Sequence, residues 1–178
     1  LVNNSIEPFL VYQNVFILDG GLATELEARR HNLDDPLWSA KILLEEPDAI
    51  RQVHSDYLHA GADCIISASY QASLPGLMAR GLSKEKAAVL IRFAVRLATE
   101  ARDQFWAIMA NRRGRLRPLV AASVGPYGAY LADGSEYSGV YDLDEAGLLE
   151  WHRPRWQILA QSGADLLACE TIPSLAEA

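Results

Sequence analysis

The sequence predicts an α/β fold built on parallel strands. Short apolar runs alternate with segments of helical periodicity, and the same Gly-Ala-Asp junction precedes two of those runs. Val15-Phe16-Ile17-Leu18 is the first run, read as a buried strand that opens into the turn Asp19-Gly20-Gly21. Residues 22–31, with Ala23, Glu25, Leu26 and Ala28, start a helix, and a polar stretch around Pro36 follows. From Pro47 the apolar positions Ile50, Val53, Tyr57 and Leu58 recur at helical spacing, and Gly61 stands where a left-handed residue ends a helix. Ala62 to Ser69 is the second strand, carrying Cys64-Ile65-Ile66.

Ser83 is the expected N-cap of the longest helix, whose stripe Ala87, Leu90, Ile91, Ala94, Val95, Ala98, Ala101 and Phe105 keeps the spacing of one buried face. Pro118 to Val124 is the third strand, cut off by Gly125-Pro126-Tyr127-Gly128. A long Gly- and Tyr-rich segment then runs to about Asp142 and reads as a substrate-lining loop or lid. A helix over roughly 144–162, bent or started around Pro154, leads to the fourth strand, Ala164 to Cys169, and a further helix starts at Ser174. Gly61-Ala62-Asp63 and Gly163-Ala164-Asp165 mark equivalent helix-to-strand joints.

Alternating strands and helices imply right-handed crossovers between parallel neighbours, in an open doubly wound sheet or a (β/α)8 barrel. The dinucleotide fingerprint G-x-G-x-x-G fails at Asp19-Gly20-Gly21, and Gly125-x-x-Gly128 is followed by loop residues instead of a helix. A complete barrel takes about 250 residues. The 178 residues hold four strands and read as one domain, 1–178, amounting to a half barrel if the architecture is a barrel.

Composition narrows the function. Sixteen basic against 23 acidic residues leave a net charge of −7, and the one dense basic run, Arg112 to Arg117, has no interleaved aromatics, so nucleic acid is excluded as a partner. No apolar stretch reaches the roughly 20 residues that span a bilayer. Residues 1–18 lack the basic start and small-residue cleavage site of a signal peptide. The first residue, Leu1, suggests a chain that does not begin at its native initiator. Two cysteines, Cys64 and Cys169, exclude a disulfide framework and point to a reducing, cytoplasmic setting.

Ligands of parallel α/β folds gather at the C-terminal ends of the strands. Asp19 stands at the first such end and Glu170 at the fourth; Ser67, Ser69, Tyr70 and Gln71 follow the second, and Ser123, Gly125 and Tyr127 the third. Two carboxylates at one mouth suit an ammonium group, each through a charge-assisted hydrogen bond. A turn aspartate and a salt-bridged strand-end glutamate are the plainer alternatives. His31, His54, His59 and His152 show no ligand spacing and read as surface or hydrogen-bonded histidines; Cys64 reads as packing, and no metal site is expected.

Several uninterrupted motifs resemble the N-terminal part of the homocysteine S-methyltransferases: Leu18-Asp19-Gly20-Gly21-Leu22-Ala23-Thr24-Glu25-Leu26-Glu27, Asp35-Pro36-Leu37-Trp38-Ser39-Ala40-Lys41, Ala68-Ser69-Tyr70-Gln71-Ala72, the stretch from Ser123 to Tyr137, His152-Arg153-Pro154-Arg155, and Ala164 to Thr171. The likeness runs in order from about residue 15 to the end, and is closest to the branch that uses S-methylmethionine. It implies a (β/α)8 barrel that moves a methyl group from a sulfonium donor, S-methylmethionine or S-adenosylmethionine, to homocysteine. By the same resemblance Asp19 and Glu170 bind the acceptor's amino group or order its surroundings, Gly20 belongs to the substrate-binding set beside them, and Ser69 and Tyr127 line the pocket. The family's zinc, held by three cysteines, keeps the acceptor thiol deprotonated. Those cysteines fall in the family's second half, so the resemblance implies that this polypeptide alone neither binds catalytic zinc nor turns over. Two rivals stand beside this reading. One is a non-catalytic half barrel whose open edges pair into a homodimer or take another partner; the other is an unrelated α/β enzyme whose carboxylates do acid–base work.

Overall fold

A computed structural model describes residues 4–33 and 38–178, with backbone alone at 38–40. The motif Asp35-Pro36-Leu37-Trp38-Ser39-Ala40-Lys41 and the stretch around Pro36 therefore lie largely outside the described residues. In chain order the elements are α1 (Glu7–Gln13), α2 (Leu22–Ala28), α3 (Trp38–Glu45), α4 (Pro47–Ala60), β1 (Cys64–Ile66), α5 (Leu74–Ala79) and α6 (Lys84–Ala107). After a 3-10 turn at Met109–Arg112 come β2 (Leu119–Val124), α7 (Tyr127–Leu131), α8 (Ser135–Ser138), α9 (Glu145–Ala160) and β3 (Leu166–Cys169).

The three strands form one parallel sheet in the order β1-β2-β3, with Ile65 opposite Val120 and Ala122 opposite Leu167. Sequential neighbours in sequential order are what βαβ crossovers of one hand produce. Ile65, Val120, Ala122, Val124 and Leu167 alternate onto the face that packs against α4 and α6, where Ile50, Val53, Leu58, Ile91, Val95 and Ala98 complete the core. Every residue of the expected α6 stripe is buried, and the Ser83 hydroxyl accepts the Lys86 N–H at 3.3 Å, capping the helix as its sequence requires. The other sheet face carries Ile66, Leu119, Leu166 and Ala168, all half-buried. No helix of the described residues is long and apolar enough to cross a membrane.

The two Gly-Ala-Asp joints are physically the same device. Gly61 (φ 114°) and Gly163 (φ 83°) both take the left-handed turn that ends the preceding helix, a conformation that costs a side-chain-bearing residue energy. Asp63 and Asp165 then fasten the new strand to its predecessor in matching fashion. The Asp63 N–H donates to Ile17 O at 2.7 Å and its Oδ2 accepts the Ile17 N–H at 3.0 Å. The Asp165 N–H donates to Val120 O at 2.8 Å and its Oδ2 accepts the Val120 N–H at 2.8 Å.

Four local expectations are corrected. Val15–Leu18 runs parallel to β1 but forms only the bridge Leu18–Cys64, and Ile17 and Leu18 are half exposed, because among the described residues a strand flanks it on one side only. Residues 127–138 are not plain loop but contain α7 and α8. The last long helix starts at Glu145, capped by Asp144, and continues through Pro154, whose exposed position leaves the freed Glu150 carbonyl to solvent. Ser174 begins a single turn instead of a helix, closed by Ala178 N–H to Ser174 O at 3.3 Å.

The two aspartates differ in what else they hold. Asp165 also pairs with Nη1 of buried Arg102 at 2.6 Å, whereas Asp63 takes only neutral donors, Ile17 N–H and the Gln13 amide. Asp165→Ala is expected to cost about 2 kcal/mol, because it takes from buried Arg102 one of its two carboxylate partners and leaves only Asp103 (2.9 Å), and Asp63→Ala about 1 kcal/mol, in urea unfolding of the chain. Equal losses would show that the Arg102 pair carries no special weight.

Candidate functional site

Parallel strands bring four chain segments to one end of the sheet. Leu18 leads into Asp19, β1 into Ser67 and Ser69, β2 into Gly125 and Tyr127, and β3 into Glu170. The register that aligns the strands therefore also aligns their exits.

Asp19 is anchored to β1 by two bonds. Its N–H donates to Cys64 O at 2.9 Å, and its Oδ2 accepts the Ile66 N–H at 2.8 Å. Its other oxygen, Oδ1, is buried and has no hydrogen-bond partner. Burial lifts the carboxyl from the ordinary 3.8 to about 7, the Ile66 N–H counteracts this, and the charge of Glu170 adds to it. The two carboxyl groups thus sense each other across the rim. Gly20 follows, packed so closely on Tyr57 of α4 that a Cβ there would stand 2.7 Å from the Tyr57 hydroxyl. That hydroxyl donates to Gly21 O at 3.3 Å.

Glu170 is reached through a chain of serines. The Ser123 hydroxyl donates to Glu170 Oε1. Ser69 donates its hydroxyl to Ser123 O at 2.8 Å, and Ser67 Oγ lies 2.9 Å from Ser69 Oγ while accepting the Ser123 N–H at 3.2 Å. All three serines are buried. Ser69 is therefore an internal link between β1 and β2 more than an exposed lining group. The half-buried Tyr127 ring packs edge-on against Tyr141 (5.4 Å between centroids) and Trp151 (5.1 Å). The structure thus brings Asp19, Gly20, Ser69, Tyr127 and Glu170 to one end of the sheet, with Asp19 and Glu170 electrostatically coupled.

Three of the histidines have partners: His31 Nδ1 is 2.7 Å from Glu46 Oε2, His59 Nδ1 2.8 Å from Ser55 O, and His152 Nε2 2.9 Å from Glu177 Oε1. His54 corrects the expectation of a surface or hydrogen-bonded ring. It is buried in α4 with neither nitrogen partnered, and burial holds its pKa down to about 4, so it packs as a neutral ring. Arg155, Glu177 and Tyr57 are not marked as site residues by the sequence: none stands at a strand end, and they reach the rim from α9, from the turn at Ser174–Ala178 and from α4.

Among the described residues no three His, Cys, Asp or Glu side chains come together to hold a metal. Cys64 is buried and its thiol is pushed up to about 12, chiefly by burial; Cys169 lies exposed at the far end of another strand. These two thiols do not fit a thiolate-held metal.

Comparison with known proteins matches residues 16–178 to the family described as homocysteine S-methyltransferase. The chain belongs to that family. It is 57% identical over 175 residues to homocysteine S-methyltransferase YbgG of Bacillus subtilis and 53% identical over 175 residues to homocysteine S-methyltransferase of Escherichia coli, in both cases covering 98% of this chain and 56% of the relative. The crystal structure of the homocysteine methyltransferase MmuM from Escherichia coli in its metallated form superposes with a TM-score of 0.91 at 52% identity, over 98% of this chain and 59% of that one. The chain thus spans a little over half the length of the relatives it matches.

The raised Asp19 pKa has a definite sign. In the unfolded chain the carboxyl ionises near 3.8 and in the folded chain near 7, so the folded state holds the extra proton in between. The stability Asp19 contributes is full below the lower value and lost as pH rises through the upper one. Asp19→Asn, whose amide oxygen can still accept the Ile66 N–H, is expected to gain stability relative to the parent chain between about pH 4 and pH 8 in urea unfolding. A difference independent of pH would contradict the shift.

Proposed function

We propose that this chain supplies the acceptor-binding rim of a homocysteine S-methyltransferase built as a (β/α)8 barrel, of which residues 1–178 form the first half as a single domain. The complete enzyme would transfer a methyl group from a sulfonium donor, S-methylmethionine or S-adenosylmethionine, to homocysteine, giving methionine. The observation that carries this reading is the convergence of Asp19 and Glu170: a buried carboxyl with one unpartnered oxygen, in the field of a second carboxyl, is incomplete without a cation. An α-ammonium group supplies that cation and donates to both.

The chemistry follows from the two charges. The acceptor's ammonium, seated between the carboxyls, returns Asp19 to its ionised form and fixes the amino-acid end, leaving the thiol arm to extend over the strand ends. Positioning of this kind turns an encounter between two substrates into an aligned reaction. As the new sulfur–carbon bond forms, the donor's sulfur–carbon bond breaks, its electron pair stays on the donor sulfur, and a neutral thioether leaves without needing a proton. The acceptor thiol gives up its proton; in this reading the group that makes it a thiolate, zinc by the family resemblance, lies beyond these side chains. Two unpaired thiols support a reducing compartment such as the cytoplasm.

A groove of about 1000 Å³ beside β3 and α9, lined by Val124, Leu149, Trp156, Cys169 and Ile172 among others, supports the half-barrel reading, since it is where further βα units would pack.

In the complete enzyme Asp19→Asn and Glu170→Gln are each expected to raise the KM for homocysteine roughly ten- to a hundredfold, as expected when a hydrogen bond to a charged group worth about 1.5–3 kcal/mol is lost. The KM for the sulfonium donor should stay within about twofold, a change of only a few tenths of a kcal/mol. Steady-state kinetics with each substrate varied in turn make the test. Unchanged homocysteine KM in both variants would remove the acceptor assignment.

A further inference from the structure

Helix α9 sends one charged side chain to the underside of the rim. Arg155 is 2% exposed, and its guanidinium bonds to backbone carbonyls while feeling the charge of the buried Glu177 carboxylate nearby. Nη1 donates to Tyr70 O at 3.2 Å, and Nη2 donates to Gly125 O and lies 3.2 Å from His152 Nδ1. The plane of the group sits over the Trp151 ring, 4.9 Å from its centroid. Burial lowers its pKa only to about 10, so it stays a cation at neutral pH.

The two carbonyls it gathers belong to different exits of the sheet. Tyr70 follows Ser69 in the loop after β1, and Gly125 opens the loop after β2 that carries Tyr127. These loops are pressed together: a Cβ on Gly125 would lie 2.6 Å from Tyr70 O. Both carbonyl oxygens accept from one guanidinium, and a cation shared between two carbonyl dipoles draws the loops that carry them together. The same corner is held from a second side, where Glu177, its side chain buried, accepts the Tyr127 N–H and lies 2.9 Å from His152 Nε2.

We propose that Arg155 is a positioning residue of the acceptor site, a buried clamp that sets the loop after β1 against the loop after β2 and so fixes Ser69, Ser123 and, through them, Glu170. It touches no substrate. The proposal rests on the acceptor reading of Asp19 and Glu170 for its kinetic consequence, while the clamp itself can be tested without any activity.

Arg155→Lys keeps the charge and can reach one carbonyl but not both; Arg155→Met keeps the bulk and neither bond. Amide hydrogen exchange of the 178-residue chain is the first readout. Faster exchange confined to residues 69–72 and 125–128, graded Lys below Met, supports the clamp. Exchange that is unchanged, or raised uniformly through α6 and the sheet, overturns it in favour of a packing role. The second readout is kinetics of the complete enzyme. With Arg155→Lys the homocysteine KM is expected to rise about tenfold or more, as for a misplaced binding group, with donor KM and kcat little changed. Localised exchange with unaltered homocysteine KM overturns the positioning role. A parent enzyme that methylates no homocysteine would instead defeat the functional reading, while hydrogen exchange still decides the clamp.

Discussion

A carboxyl group withdrawn from water needs either a proton or a cation, and no cationic side chain among the described residues bonds to Asp19. One oxygen is satisfied by a backbone N–H of β1, the other is buried and bare, and a second carboxyl at the end of β3 raises the cost of ionising it. Its pKa, lifted to about 7, therefore falls close to neutral pH. The rest of the rim is arranged around that condition: Ser123 holds Glu170, Ser67 and Ser69 hold Ser123, and Arg155 gathers the loops that carry them.

Such a shift demands a stiff frame, since a carboxyl free to swing would find water. The frame is the parallel register and the paired aspartate staples at the starts of β1 and β3. Asp63 ties β1 to the segment ending in Asp19, and Asp165 ties β3 to β2, so both rim carboxyls leave strands whose entries are locked to a neighbour. The helices behind the sheet contribute apolar area, with the α6 stripe wholly buried. The same packing strips His54 of hydrogen-bond partners and holds it neutral.

Much of this was legible in the residues. The left-handed glycines at 61 and 163, the caps at Ser83 and the period of α6 are local, and local chemistry decided them. Asp19 and Glu170 could be picked out because parallel topology collects strand ends, a rule that needs only the order of elements. What failed depended on distant neighbours. Val15–Leu18 reads as a buried strand by its own composition, yet its outer side has no strand among the described residues. The segment after Gly125 looked like loop because its helices, α7 and α8, are too short for periodicity to reveal. Arg155 stands in the motif His152-Arg153-Pro154-Arg155, but away from any strand end; only the fold shows that its side chain ends beneath two loops.

The most direct test is the position of the acceptor's nitrogen. A crystal structure of the chain with homocysteine bound should place the ammonium within hydrogen-bonding distance of Asp19 Oδ1 and of the Glu170 carboxylate, with the sulfur pointing away from both. Homocysteine seated elsewhere, or bound with its carboxylate toward Asp19, would contradict the account.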